Sequence, residues 1–218
     1  MKTPFTLEQF LDVFKNYNTT VWPIQIIFYF LGLCAIVLIF GKNRLSDRII
    51  NSILAFLWLW IGIVYHIAFF TTINKAAYLF GILFIIQGVI FLVMGVFRES
   101  IRYQYKKDIY SLTGCVFLCY ALILYPVLGY FLGHVYPYSP TFGLPCPTVI
   151  FTFGILLFAG KRIPYFVLFI PAFWSFLGFF AAISFGILED IGLLAAGLIG
   201  IAMIIAKNNG YKAAKHAA

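Results

Sequence analysis

The chain has 218 residues, of which 63% are apolar, 20% aromatic and only 10% charged. Too few polar side chains remain to cover the surface of a water-soluble globule of this size, so a soluble domain is excluded and lipid becomes the solvent. A net charge of +8 does not indicate nucleic acid, because the basic residues stand in short loops beside apolar runs, where anionic headgroups are the nearer partner.

Residues 1–21 form the first unit. Leu7, Phe10, Leu11 and Phe14 recur at helical spacing, and Thr6 with Gln9 is placed as a capping box. This predicts a short amphipathic helix at the outer membrane surface, serving either as an interfacial anchor or as a lid. Glu8, Asp12 and Lys15, without an apolar h-region, do not read as a cleavable signal. Asn18 and Thr20 make a glycosylation sequon whose closeness to Trp22 and the membrane argues against modification.

A membrane span takes about 20 apolar residues. Seven candidate runs follow, at 22–41, 48–70, 76–97, 110–132, 144–160, 164–186 and 188–206. They define an all-α polytopic helix bundle over 22–206, followed by a basic tail at 207–218. Twelve of the fifteen Lys and Arg residues fall between Lys42 and Arg48, between Arg98 and Lys107, at Lys161 and Arg162, and from Lys207 onward. Keeping those loops inside places the N-terminus outside and the C-terminus in the cytoplasm, with Lys2, Lys15 and Lys75 outside.

The fifth run differs from the rest. Pro145 and Pro147 forbid a helix much before Thr148, and Gly160 with Lys161 ends it, so the helix rises only about 20 Å against a hydrocarbon core of about 30 Å. The preceding segment contains Pro137 and Pro140 between Gly133 and Gly143. It reads in two ways: as a dip of irregular backbone into the protein, ending at a helix N-terminus that bounds a binding site, or as an external loop before a short, tilted helix.

The polar residues that are not basic gather on the outer side. His66 and Asn74 lie at the end of the second run, His134 at the end of the fourth, and Glu189 with Asp190 at the start of the seventh. With Tyr136, Thr141, Cys146 and Thr148 from the Pro-rich segment, they make the candidate ligand-binding set. His66, His134, Cys146, Glu189 and Asp190 are also the candidate metal ligands, although no tight HxxxH or CxxC spacing supports them. Gln87 and Ser175 are the deepest polar groups and should face the bundle interior. Cys34, Cys115 and Cys119 read as small hydrophobes, with no disulfide, and His216 as an inert tail residue.

The segment PIQIIFYFLGL from Pro23 is echoed by PTVIFTFGILL from Pro147. Each is followed by Gly-Lys and an aromatic AF segment, which suggests a parallel repeat of three, one and three spans. That arrangement is similar to small sugar-transporter-like families, but their Pro-Gln motif is absent. Trp22-Pro23, Tyr65-His66, AAYLFG from Ala76, GHVYP from Gly133, PTFGLPCPT from Pro140 and Glu189-Asp190 together resemble an uncharacterised family of bacterial multi-pass inner-membrane proteins. The likeness covers nearly the whole chain; it implies a bacterial inner-membrane location and brings no reaction.

The expected partners are the lipid bilayer and a small molecule or ion, bound or transported through an outward-facing polar pocket. The alternatives are an intramembrane metal-dependent hydrolase, a haem- or metal-binding electron-transfer protein held by His66 and His134, and a structural or assembly role. The sequence specifies neither a cofactor nor an oligomeric state.

Overall fold

A computed structural model describes residues 5–41 and 43–216, with side chains to residue 213. Lys2 and Lys42, and the side chains of Lys215 and His216, lie outside the described residues. Among the described residues eight helices make up the fold: α1 (Leu7–Thr20), α2 (Ile24–Gly41), α3 (Arg44–Thr72), α4 (Ala77–Phe97), α5 (Ile109–Phe131), α6 (Pro145–Leu156), α7 (Phe166–Ser184) and α8 (Leu188–Ala213). Six of them, α2 to α5, α7 and α8, are long and apolar enough to cross a membrane. The result is a helical membrane bundle.

Local chemistry sets the helix starts. Thr6 caps α1 by accepting from the Gln9 N–H at 3.2 Å while its own N–H donates to the Gln9 side chain at 2.9 Å, which completes the capping box read from the sequence. Asn43 and Asp108 do the same for α3 and α5, each accepting at 2.8 Å from the backbone N–H three residues on. Pro145 opens α6 at a position that needs no N–H.

The fifth expected span is the departure. α6 has 12 residues, which rise about 18 Å, and it stands in the middle of the bundle rather than against lipid. Every residue from Pro145 to Leu156 except Cys146 is buried, enclosed chiefly by α5, α7 and α8. The chain reaches it by the dip rather than by an external loop. Phe142 and Leu144 are fully buried, with Phe142 packed on Phe151 at 5.0 Å and Tyr29 at 5.5 Å between ring centres. Gly143 turns this segment at φ +96°, where a Cβ would run into the Phe28 ring. The expected repeat is not matched in burial: α2, the counterpart of α6, lies at the periphery with Phe30 and Val37 exposed.

The far end of α6 is tied to the basic loops. Gly160 N–H donates to Arg102 O and Gln104 N–H to Phe158 O, both at 2.8 Å. Lys207 Nζ donates to Leu157 O at 2.7 Å, placing a cation at the negative end of the helix dipole. Asn208 brackets Ile163 with bonds at 2.9 and 2.8 Å. The loop 98–108 is locked by Tyr103, whose N–H donates to Asp47 Oδ1 at 2.8 Å and whose hydroxyl donates to Asn51 Oδ1 at 2.9 Å. Burial holds the Tyr103 phenol well above the usual tyrosine range. The basic clusters therefore meet at one end of the bundle, and α1 covers the other.

α1 docks by a buried face made of Val13, Phe14, Tyr17 and Asn18. The Tyr17 hydroxyl accepts from Trp60 Nε1 at 2.9 Å, and burial pushes this phenol up as well. Asn18, fully buried, pins the dip: its Nδ2 donates to Pro137 O and Ser139 O at 2.8 Å, and its Oδ1 accepts from Thr141 Oγ1 at 3.1 Å.

Candidate functional site

His66 lies in a π-helical stretch of α3, Ile61–Phe69. Such turns widen a helix and recur at functional sites. The imidazole is fully buried and neither ring nitrogen has a hydrogen-bond partner. Its neighbours are aromatic, with Phe84 at 4.8 Å, Trp174 at 5.1 Å, Tyr65 at 5.2 Å and Phe80 at 5.9 Å between ring centres. Trp174, 7% exposed, likewise leaves its indole N–H unanswered. Buried polar groups are nearly always paired, and an orphan costs on the order of 1–3 kcal/mol.

Both orphans line one cavity of about 110 Å³. Phe5, Phe10 and Phe14 cover it from the α1 side, and the dip contributes Pro140 and Leu144. Cys146 at the start of α6, Tyr125 of α5 and Asp190 of α8 supply most of its remaining polar lining. Beyond His66, three fully buried rings pack together at a tilt. Trp58 lies 4.5 Å from Phe84 and 6.4 Å from Phe91 between centres, and its indole N–H is used by Thr152 Oγ1 at 3.0 Å.

The two neighbouring carboxylates diverge. Glu189, 1% exposed, meets His134 Nδ1 with both oxygens, at 2.9 and 3.2 Å, and its backbone carbonyl accepts from the Tyr120 hydroxyl at 2.6 Å. Asp190, 3% exposed, turns to the cavity, where its Oδ1 accepts from the Tyr125 hydroxyl at 2.7 Å beside the Cys146 thiol. Among the described residues no basic side chain forms an ion pair with Asp190.

The candidate residues thus separate into groups. His66, Cys146 and Asp190 share the cavity, while His134 and Glu189 form a pair beside it. Thr141, together with Tyr136, whose hydroxyl donates to Asn18 O at 3.3 Å, belongs to the Asn18 anchor. Asn74 is not part of the lining; its Oδ1 accepts from Ala76 N–H at 3.0 Å in the turn before α4. Thr148 is buried in α6 with its hydroxyl unpaired, away from the cavity wall. Gln87 bridges to α7 by donating to Val167 O at 3.1 Å, and Ser175 donates to Ala172 O at 2.7 Å while packing on Gly197.

Among the described residues no three His, Cys, Asp or Glu side chains come together as a metal-binding group. The five metal candidates are split by the divergence of Glu189 from Asp190. His66 and His134 do not face one space either, because His134 is not part of the wall of the cavity that His66 lines. The four cysteines are free.

Tyr125, Trp174 and Asn18 were not among the sequence-derived site residues. Tyr125 and Trp174 stand in uniformly apolar runs that give no cue to facing. Asn18 carried a usable signal, because it follows Phe14 by four residues and Leu11 by seven on the apolar face of α1.

Residues 7–215 match a family described as a family of unknown function, DUF6064, and the chain belongs to it. No curated protein and no solved structure matches the chain.

Proposed function

We propose, for this member of DUF6064, that the protein binds a small organic solute with an apolar body and a hydrogen-bonding head in the cavity beneath α1. The observation that carries this reading is the pair of buried, unanswered polar groups, His66 and Trp174, on an otherwise aromatic wall. A dry cavity of roughly 150 Å³ accepts benzene, so a space of about 110 Å³ suits a ligand of about five heavy atoms. Binding, rather than passage, is favoured because the fully buried rings of Trp58, Phe84 and Phe91 fill the bundle interior beyond His66. The gathering of basic loops at the opposite end supports a bacterial inner-membrane setting in which that end is cytoplasmic and the cavity faces outward.

The test is thermal unfolding of the full-length protein in detergent with added isobutanol or isobutylamine, since a ligand that binds only the folded state raises the midpoint. At least one of the two should stabilise the wild type. Ala182→Leu, which adds three carbons to the cavity wall, should abolish the effect. His66→Phe, which keeps a ring and removes both nitrogens, should weaken it about tenfold, the equivalent of one buried hydrogen bond. If neither compound stabilises the wild type, or if Ala182→Leu responds equally, the cavity is not a binding site.

A further inference from the structure

Asp190 gives the ligand a charge. We propose that the solute is a small primary alkylammonium ion, held by the Asp190 carboxylate and the aromatic faces of the cavity; this rests on the solute-binding reading above and names its chemistry.

A carboxylate removed from water needs a counter-charge or must take up a proton. The groups that face Asp190 from the packed elements are neutral donors: the Tyr125 hydroxyl of α5, at 2.7 Å, and the Cys146 thiol of α6. His134 is already committed to Glu189 at 2.9 Å. His66 shares the cavity but makes no ion pair with Asp190. Among the described residues one buried acid is therefore left without a cation, and it stands on the wall of the cavity rather than in packed core.

The remaining wall matches the same ligand. Phe10, Phe14, Tyr65, Phe70 and Trp174 present ring surfaces to the cavity, and the negative face of an aromatic ring attracts a cation, most strongly when water is excluded. A primary ammonium has N–H groups for both Asp190 and the acceptor nitrogen of His66, which a quaternary ammonium lacks. Its alkyl part fits Leu144 and Leu177. A plain amine leaves the Trp174 N–H and the remaining His66 N–H unanswered, so a ligand that also carries an acceptor oxygen would bind more tightly.

The experiment compares isobutylamine, protonated at pH 7, with isobutanol, its neutral counterpart of the same size, by calorimetric titration of the full-length protein in detergent. The amine should bind the wild type at least about tenfold more tightly, a difference of about 1.4 kcal/mol. In Asp190→Asn the amine should lose at least about tenfold while the alcohol changes by less than about threefold. Alcohol binding as tight as amine binding in the wild type would overturn the ammonium assignment and leave the solute site standing. Binding of neither would overturn both. Because the wild-type comparison decides by itself, the test survives an Asp190→Asn protein that fails to fold.

Discussion

Asn18→Ala should release the Pro-rich dip from α1. The side chain makes three hydrogen bonds across 119 to 123 residues of sequence, to Pro137 O, Ser139 O and Thr141 Oγ1. At about 1 kcal/mol net for each, their loss lowers the free energy of local opening by about 3 kcal/mol, or roughly a hundredfold in the opening equilibrium. Amide hydrogen exchange reads this directly. The Tyr138 N–H, bonded to Val135 O at 2.9 Å, and the Leu144 N–H, bonded to Thr141 O at 3.0 Å, should exchange roughly a hundredfold faster, while amides in the middle of α3 remain unchanged. Asn18→Asp tests the donor role separately. Its carboxylate would face two carbonyl oxygens, so the variant should be worse at pH 8 than at pH 5, where a returning proton restores one donor. Exchange in Asn18→Ala within about threefold of wild type would refute the anchor and with it this magnitude.

Tyr17 should make the protein sensitive to alkali. With its folded-state pKa raised by burial, the folded chain keeps a proton that the unfolded chain releases above about pH 10, so stability falls as pH rises from there. Tyr17→Phe should flatten that decline in alkaline melts, and an unchanged slope would count against burial as its cause. Gly95→Ala should cost about 1–3 kcal/mol, because the added Cβ would overlap the Asn51 side chain, which is fixed by bonds to Asp47 O at 2.7 Å and Tyr103 at 2.9 Å. Gly210→Ala meets nothing within 4 Å and should gain up to about 1 kcal/mol of helix propensity. Equal melting temperatures for the two variants would contradict the packing.

Hydropathy marked the six long helices and the Thr6/Gln9 capping box marked α1, because span length and N-cap residues are local properties. Pro145 and Pro147 likewise announced a short helix. Its place at the centre was not legible: a helix that is apolar all round shows no preferred face, and only its neighbours decide whether lipid or protein surrounds it. The same degeneracy hid Trp174 and Tyr125, while the rare ionisable residues His66, Asp190 and Glu189 stood out against the apolar background. Glu189 and Asp190 are adjacent in sequence yet have separate partners, since the short 3₁₀ turn Leu188–Asp190 advances successive side chains by about 120°. That divergence turned an expected single cluster into a hydrogen-bonded His134–Glu189 pair and a cavity acid.

The enclosure of α6 has a consequence for assembly. A helix solvated wholly by other helices is indifferent to bilayer thickness, and membranes that stretch or thin the outer six spans leave it without a mismatch of its own. The same insulation means that it has no stable resting place in lipid before α7 and α8 arrive. Its 12 residues are then retained by partners that follow it in the chain, among them Lys207, fifty residues beyond Leu157.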